Sequence, residues 1–252
     1  MWFKMRINDE ASGEDSFGHA AATDPEEANP HREELNDLIV DARLSMIWRE
    51  YALAAEMWRR AWVLAGESAA IILRAEILEG IESSQKRIVE CNDQLSVLIN
   101  QVRKDPENAC GHFRLALILS SLGNREGAMK EYRSALESPE GLCGECFRDL
   151  WNNIGWQHFR MGNLFEARRW FDLAYLVAGS EDAAGKLECK RILENRMLVF
   201  SELGLEQEAA EAIRDYFRRG YGRVPWPQRR ATTKLGLDPD EEYLKCHSQG
   251  IS

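Results

Sequence analysis

One pattern recurs at matched offsets through the middle of this chain and limits its fold before any other property does. Residues 151–179 read Trp151-x2-Ile154-Gly155-x2-His158, then Gly162-Asn163, then Ala167-x3-Phe171-x2-Ala174. The segment before reads His112-x2-Leu115-Ala116-x2-Leu119, Gly123-Asn124 and Ala128-x3-Tyr132-x2-Ala135, with Pro139 closing it. The segment after reads Leu193-x2-Arg196-Met197-x2-Phe200, Gly204 and Ala209-x3-Ile213-x2-Tyr216. Near the start stand Leu38-x2-Asp41-Ala42-x2-Ser45 and Ala54-x3-Trp58-x2-Ala61. A unit of this kind cannot bury its apolar face alone, so neighbouring units must stack into one continuous core.

From Leu35 to about Arg219 helix formers dominate, and apolar residues return at three- and four-residue spacings. Only Pro106 and Pro139 interrupt the block, each where one helix should stop and another begin. The expected class is all-α. The repeated pattern resembles the tetratricopeptide repeat, a 34-residue helix-turn-helix unit carrying W-x2-L-G-x2-Y, then Ala-x3-Phe, then Pro. That resemblance covers residues 35–219 and implies a right-handed α-solenoid of helix-turn-helix hairpins. Gly155, Ala116, Ala128 and Ala167 are small where two helices of a hairpin would cross, and Trp151, Phe171 and Tyr132 fill the space toward the next. Gly123, Gly162 and Gly204 fall where a left-handed residue would end each first helix.

The expected units are 35–68, 69–104, 109–142, 148–181 and 190–219. The second is degenerate, because 74 positions separate Ala54 from Ala128 against 39 and 42 for the later intervals. A hairpin turning at Ser83-Ser84 is favoured there. The rival is one long helix, since Ile88, Cys91, Leu95, Leu98 and Val102 also fit a 3.5-residue seam. Residues 1–34 are expected to form a disordered acidic arm, as Phe17 is the only large apolar residue between 8 and 34. Residues 220–252 read as a basic-aromatic tail, in which Tyr221 to Pro227 can cap the last hairpin.

Composition narrows the function. Lys and Arg total 32 against 42 Asp and Glu, a net charge of −10 that disfavours nucleic acid and anionic membranes except at a local basic patch. No apolar run has the length of a signal peptide or a membrane span, and six scattered cysteines suit reduced thiols, so the chain reads as cytoplasmic. Walker, G-x-S-x-G and H-E-x-x-H motifs are missing and the five His are dispersed. No enzyme activity, metal or cofactor is expected. Two alternatives from other classes stand beside that reading. Cys143 and Cys146 form a C-x2-C pair ahead of the Trp151 helix, suited to thiol redox or metal binding if Cys110, Cys189, His112 or His158 completed a tetrahedral set. The stretch from Arg218 to Lys234 interleaves six cations with Tyr221 and Trp226, suited to an anion or RNA.

In arrays of the resembled family, the first helix of each hairpin lines a concave groove that binds protein segments. The resemblance therefore places Asn36, Ile39, Arg43, Met46 and Ile47 there, then Cys110, Phe113, Leu117, Ser120 and Ser121. From the later units come Asp149, Asn152, Trp156, Phe159 and Arg160, then Arg191, Glu194, Leu198, Ser201 and Glu202. Apolar side chains at such positions point to a peptide with apolar anchors, and Arg43, Arg160 and Arg191 to its carbonyls or acidic groups. Trp156, Phe113 and Phe159 are expected to be accessible, Trp151 and Phe171 buried. Some family members clamp a C-terminal carboxylate. Asn153 and Arg191 match that clamp, whereas Phe113 and Leu117 replace two of its donors. The chain reads as a scaffold, adaptor or assembly factor with a protein or peptide partner, self-association being left open.

Overall fold

A computed structural model describes residues 31–66, 69–142, 144–178 and 183–248. Residues 1–30 of the expected 1–34 arm, and Cys143, lie outside the described residues, whereas Arg32, Glu33 and Glu34 of that arm belong to the first helix. The described residues hold no strand. Their α-helices are α1 (Arg32–Ile47), α2 (Tyr51–Ala65), α3 (Ile71–Lys104), α4 (Ala109–Ser121), α5 (Arg125–Glu137), α6 (Gly144–Arg160), α7 (Leu164–Leu176), α8 (Ala183–Glu202), α9 (Glu206–Arg218), α10 (Trp226–Thr233) and α11 (Pro239–Ser248). Four hairpins stand out, α1 with α2, α4 with α5, α6 with α7 and α8 with α9; α3 packs between the first and the second, and the later ones stack directly on one another.

The repeat explains the hairpins. The marker residues Ala54, Ala128, Ala167 and Ala209 are all 0% exposed, because two helices cross at each. Gly155 serves the same closeness on the facing helix, where an added Cβ would meet the Phe171 ring at 2.8 Å. Gly123, Gly162 and Gly204 turn the chain between helices with φ of 80°, 78° and 72°, a region that costs an L-residue side chain roughly 1–2 kcal/mol. The Asn124 carboxamide then accepts from the backbone N–H of Gly127 at 2.9 Å and caps α5.

The second unit departs from the favoured reading. Residues 71–104 form a single helix of 34 residues with no turn at Ser83-Ser84. Its buried residues are Ile77, Ser84, Cys91 and Leu98, one every seven positions, so one stripe faces the array throughout. Ser84 donates its hydroxyl to the Ile81 carbonyl at 2.9 Å and so sits buried without leaving the helix. Gly80 lies against the Trp58 indole of α2, and Val102 reaches Gly111 of α4. One helix therefore spans the distance that a hairpin would have filled.

Beyond α9, Val224 is buried in the core with Tyr221 packed against it, α10 lies on α8 and α11 on α9. Glu242 of α11 is 3% exposed and binds Arg214 at 2.8 Å and Lys245 at 2.6 Å. Burial opposes its ionisation, yet those two cations hold its carboxyl below the usual range.

The array also closes on itself. The turn of the first hairpin brings Trp48 against Trp156 of α6, ring centroids 4.6 Å apart, and Glu50 to 3.4 Å from Arg160. Arg230 of α10 reaches back to Asp37 of α1 at 3.1 Å.

Candidate functional site

Closure divides the expected groove into a sealed part and an open part. In the sealed part Trp156 is 8% exposed, covered by Trp48 on one side and stacked with Phe159 on the other at 5.4 Å. The Arg160 guanidinium lies 5.9 Å from the Trp156 ring centre. Glu50 is 6% exposed, and burial pushes its carboxyl above the ordinary value while Arg160 and Trp156 pull it back.

Several expected groove residues are thus structural. Trp156 and Phe113 are buried, not accessible, because the first hairpin's turn covers one and Tyr132, 6.2 Å away, packs beside the other. Asn152 is buried and accepts from the Asn195 carboxamide at 2.9 Å, tying α6 to α8. Gln157 makes the matching tie to α4, donating to the Ser120 hydroxyl at 2.7 Å. Leu198 belongs to the core formed by the last two hairpins, and Met46 packs beside the core of the first. Arg43 is exposed but bound to Glu76 of α3. Trp151, expected to be buried, is half-buried and packs on Phe147 at 5.7 Å.

The open part is a cavity of about 600 Å³ between the first hairpin's turn and helices α3, α4, α6 and α8. Seven of the expected residues line it: Phe113, Leu117, Ser120, Ser121, Asp149, Asn153 and Arg191. Phe113 and Leu117 form an apolar floor, and Asn153, whose carboxamide donates to the Asp149 carbonyl at 2.7 Å, stands at one wall. Arg49, Arg87 and Arg114 add three guanidinium groups beside Arg191, facing the carboxylates of Glu90 and Asp149. Arg87 holds Glu90 at 2.9 Å. None of Arg49, Arg87 and Arg114 stood among the expected residues. Arg49 carries a signal that sequence alignment of the repeats contains: it occupies the column of Gly123, Gly162 and Gly204, and its φ is 61°.

The two alternative sites look different in three dimensions. Cys146 sits in the first turn of α6, partly buried beside the α4–α5 core. Among the described residues no group of three or more His, Cys, Asp or Glu side chains could hold a metal ion. Of the basic stretch, Arg219 is bound to Asp215 at 3.2 Å, Arg229 to Asp240 at 2.6 and 2.9 Å, and Arg230 to Asp37. These cations fasten the C-terminal helices. Tyr221, packed on Tyr216, has its hydroxyl pushed up to about 12 by burial and by Cys189. No described helix is long and apolar enough to cross a membrane.

No family model matches the sequence, and no curated protein matches it. Among solved structures, the chain is similar to BtubC (BKLC) from P. vanneervenii at 20% identity and a TM-score of 0.47, covering 82% of this chain and 87% of that one. It is also similar to a tetratricopeptide repeat protein from Parabacteroides merdae ATCC 43184, at 16% identity and a TM-score of 0.42, covering 86% of this chain and 77% of that one.

Proposed function

We propose that this protein is a non-catalytic interaction scaffold, an adaptor or assembly factor that receives a segment of a protein partner in the central cavity. The observation that carries this reading is the cavity itself. Its volume of about 600 Å³ falls within the range of specific binding sites, and it joins an apolar floor to several polar groups. Stacked helices hold that wall rigid, so a bound segment would lose its own freedom without the scaffold losing much.

The test compares immobilised full-length wild type with the double variant Leu117→Ser, Asn153→Ala, by partner capture and parallel thermal melting. Both residues are half-buried on the cavity side, so melting should fall little. Loss of captured partners, worth about 2 kcal/mol or more at an interface centre, is the expected result. A variant that melts normally and retains every partner would move the binding surface elsewhere.

A further inference from the structure

The open cavity contains one feature that packing does not explain. Three hairpins turn on glycine at the same position, with φ between 72° and 80°, whereas the first hairpin turns on Arg49 at φ 61°. A non-glycine residue in that region is strained, and strain retained at one turn among four points to use of the side chain. Arg49 is exposed, and its guanidinium has no hydrogen bond or carboxylate partner among the described residues. The same holds for Arg114 across the cavity on α4. With Arg87 and Arg191 they place four cations around two carboxylates, in a chain whose net charge is −10.

We infer that the cavity receives an acidic stretch of a partner protein, whose Asp or Glu side chains meet Arg49, Arg87, Arg114 and Arg191. This rests on the scaffold reading and specifies its partner. Planar guanidinium groups match carboxylates two bonds at a time, and the local excess of positive charge draws such a segment in while the acidic exterior rejects long polyanions. Leu117 on the floor takes the apolar stems between the charges. A nucleic acid fits less well. Its phosphates continue past the cavity onto an acidic surface, and of the aromatics that line it Trp48 and Phe113 already pack against Trp156 and Tyr132.

The probes are fluorescein-labelled hexaglutamate, hexaglutamine and hexauridylate, titrated with the full-length chain and read by anisotropy. Hexaglutamate should bind saturably, more weakly as salt rises, and hexaglutamine should bind at least about tenfold more weakly. Arg114→Glu and Arg49→Gly should each weaken hexaglutamate, the charge reversal by about tenfold or more. Arg49→Gly installs the residue the other turns use, so it should melt no lower than wild type, which separates lost binding from lost folding. Equal binding of hexaglutamate and hexaglutamine, unchanged affinity in both variants, or tighter binding of hexauridylate overturns the inference. So does absence of saturable hexaglutamate binding. If that happens while the Leu117 and Asn153 variant still loses its partners, the acidic specificity falls and the scaffold reading stands.

Discussion

At the scale of single residues, two substitutions read the packing directly. Gly80 lies in the middle of α3, where alanine ordinarily favours a helix by about 1 kcal/mol. Here its Cβ would stand 2.3 Å from the Trp58 ring, which is 3% exposed and has nowhere to go. Gly80→Ala should therefore lower stability, by about 1–2 kcal/mol in denaturant unfolding, the propensity gain being outweighed by overpacking. Unchanged or raised stability would mean that the two helices are not in contact there. Glu50 offers a test in pH. Burial raises its folded-state pKa above the unfolded value, so its favourable contribution is complete below the ordinary carboxylate range and fades as pH rises through the raised value. Glutamine at this position mimics the protonated form. The melting temperature of wild type relative to Glu50→Gln should rise as pH falls from neutral toward 4, and parallel profiles would place Glu50 in solvent.

Among the helical elements, the hairpins were legible because each carries its own punctuation: a small residue at the crossing, a bulky residue toward the next unit and, in three of the four, a glycine at the turn. The long helix was harder to read. Ser83 and Ser84 look like a turn by composition, and only burial of Ser84 against the array reveals that the stripe Ile77, Ser84, Cys91 and Leu98 is continuous. A substitution separates the two readings. Proline is at home in a turn but costs about 3 kcal/mol or more inside a helix. Ser83 is exposed in the middle of α3, so Ser83→Pro should lower the unfolding free energy by about that much without disturbing any side-chain contact. A variant as stable as wild type would restore the turn. The cavity residues were half legible for a related reason. Phe113, Leu117, Asn153 and Arg191 follow from helix register within a repeat, whereas Arg49, Arg87 and Arg114 enter only because the long helix and the first turn meet at one place.

For the molecule as a whole, the consequential contacts join segments far apart in sequence, which no local pattern encodes. Trp48 and Glu50 carry no mark of the repeat pattern, and Trp156 and Arg160 were expected in the groove, facing a partner. The structure spends them on each other. Arrays of stacked hairpins are held by nearest neighbours alone, so an end unit ordinarily frays at the loss of a single interface. The first hairpin here has a second anchor, on α6, and α1 has another on α10. The closing contact also has a place in time. Trp48 cannot meet Trp156 until α3 and the one hairpin between them have formed and stacked, so the meeting is expected after the rate-limiting step of folding. Trp48→Ala should then leave the refolding arm of a chevron plot nearly unmoved and steepen nothing in it, while unfolding accelerates by about tenfold or more for a loss of roughly 2 kcal/mol. A slowed refolding arm would make the contact part of the nucleus. With that outcome the seal between the first and third hairpins is a latch on lifetime: it governs how long the folded array persists, and leaves how fast it assembles to the repeats themselves.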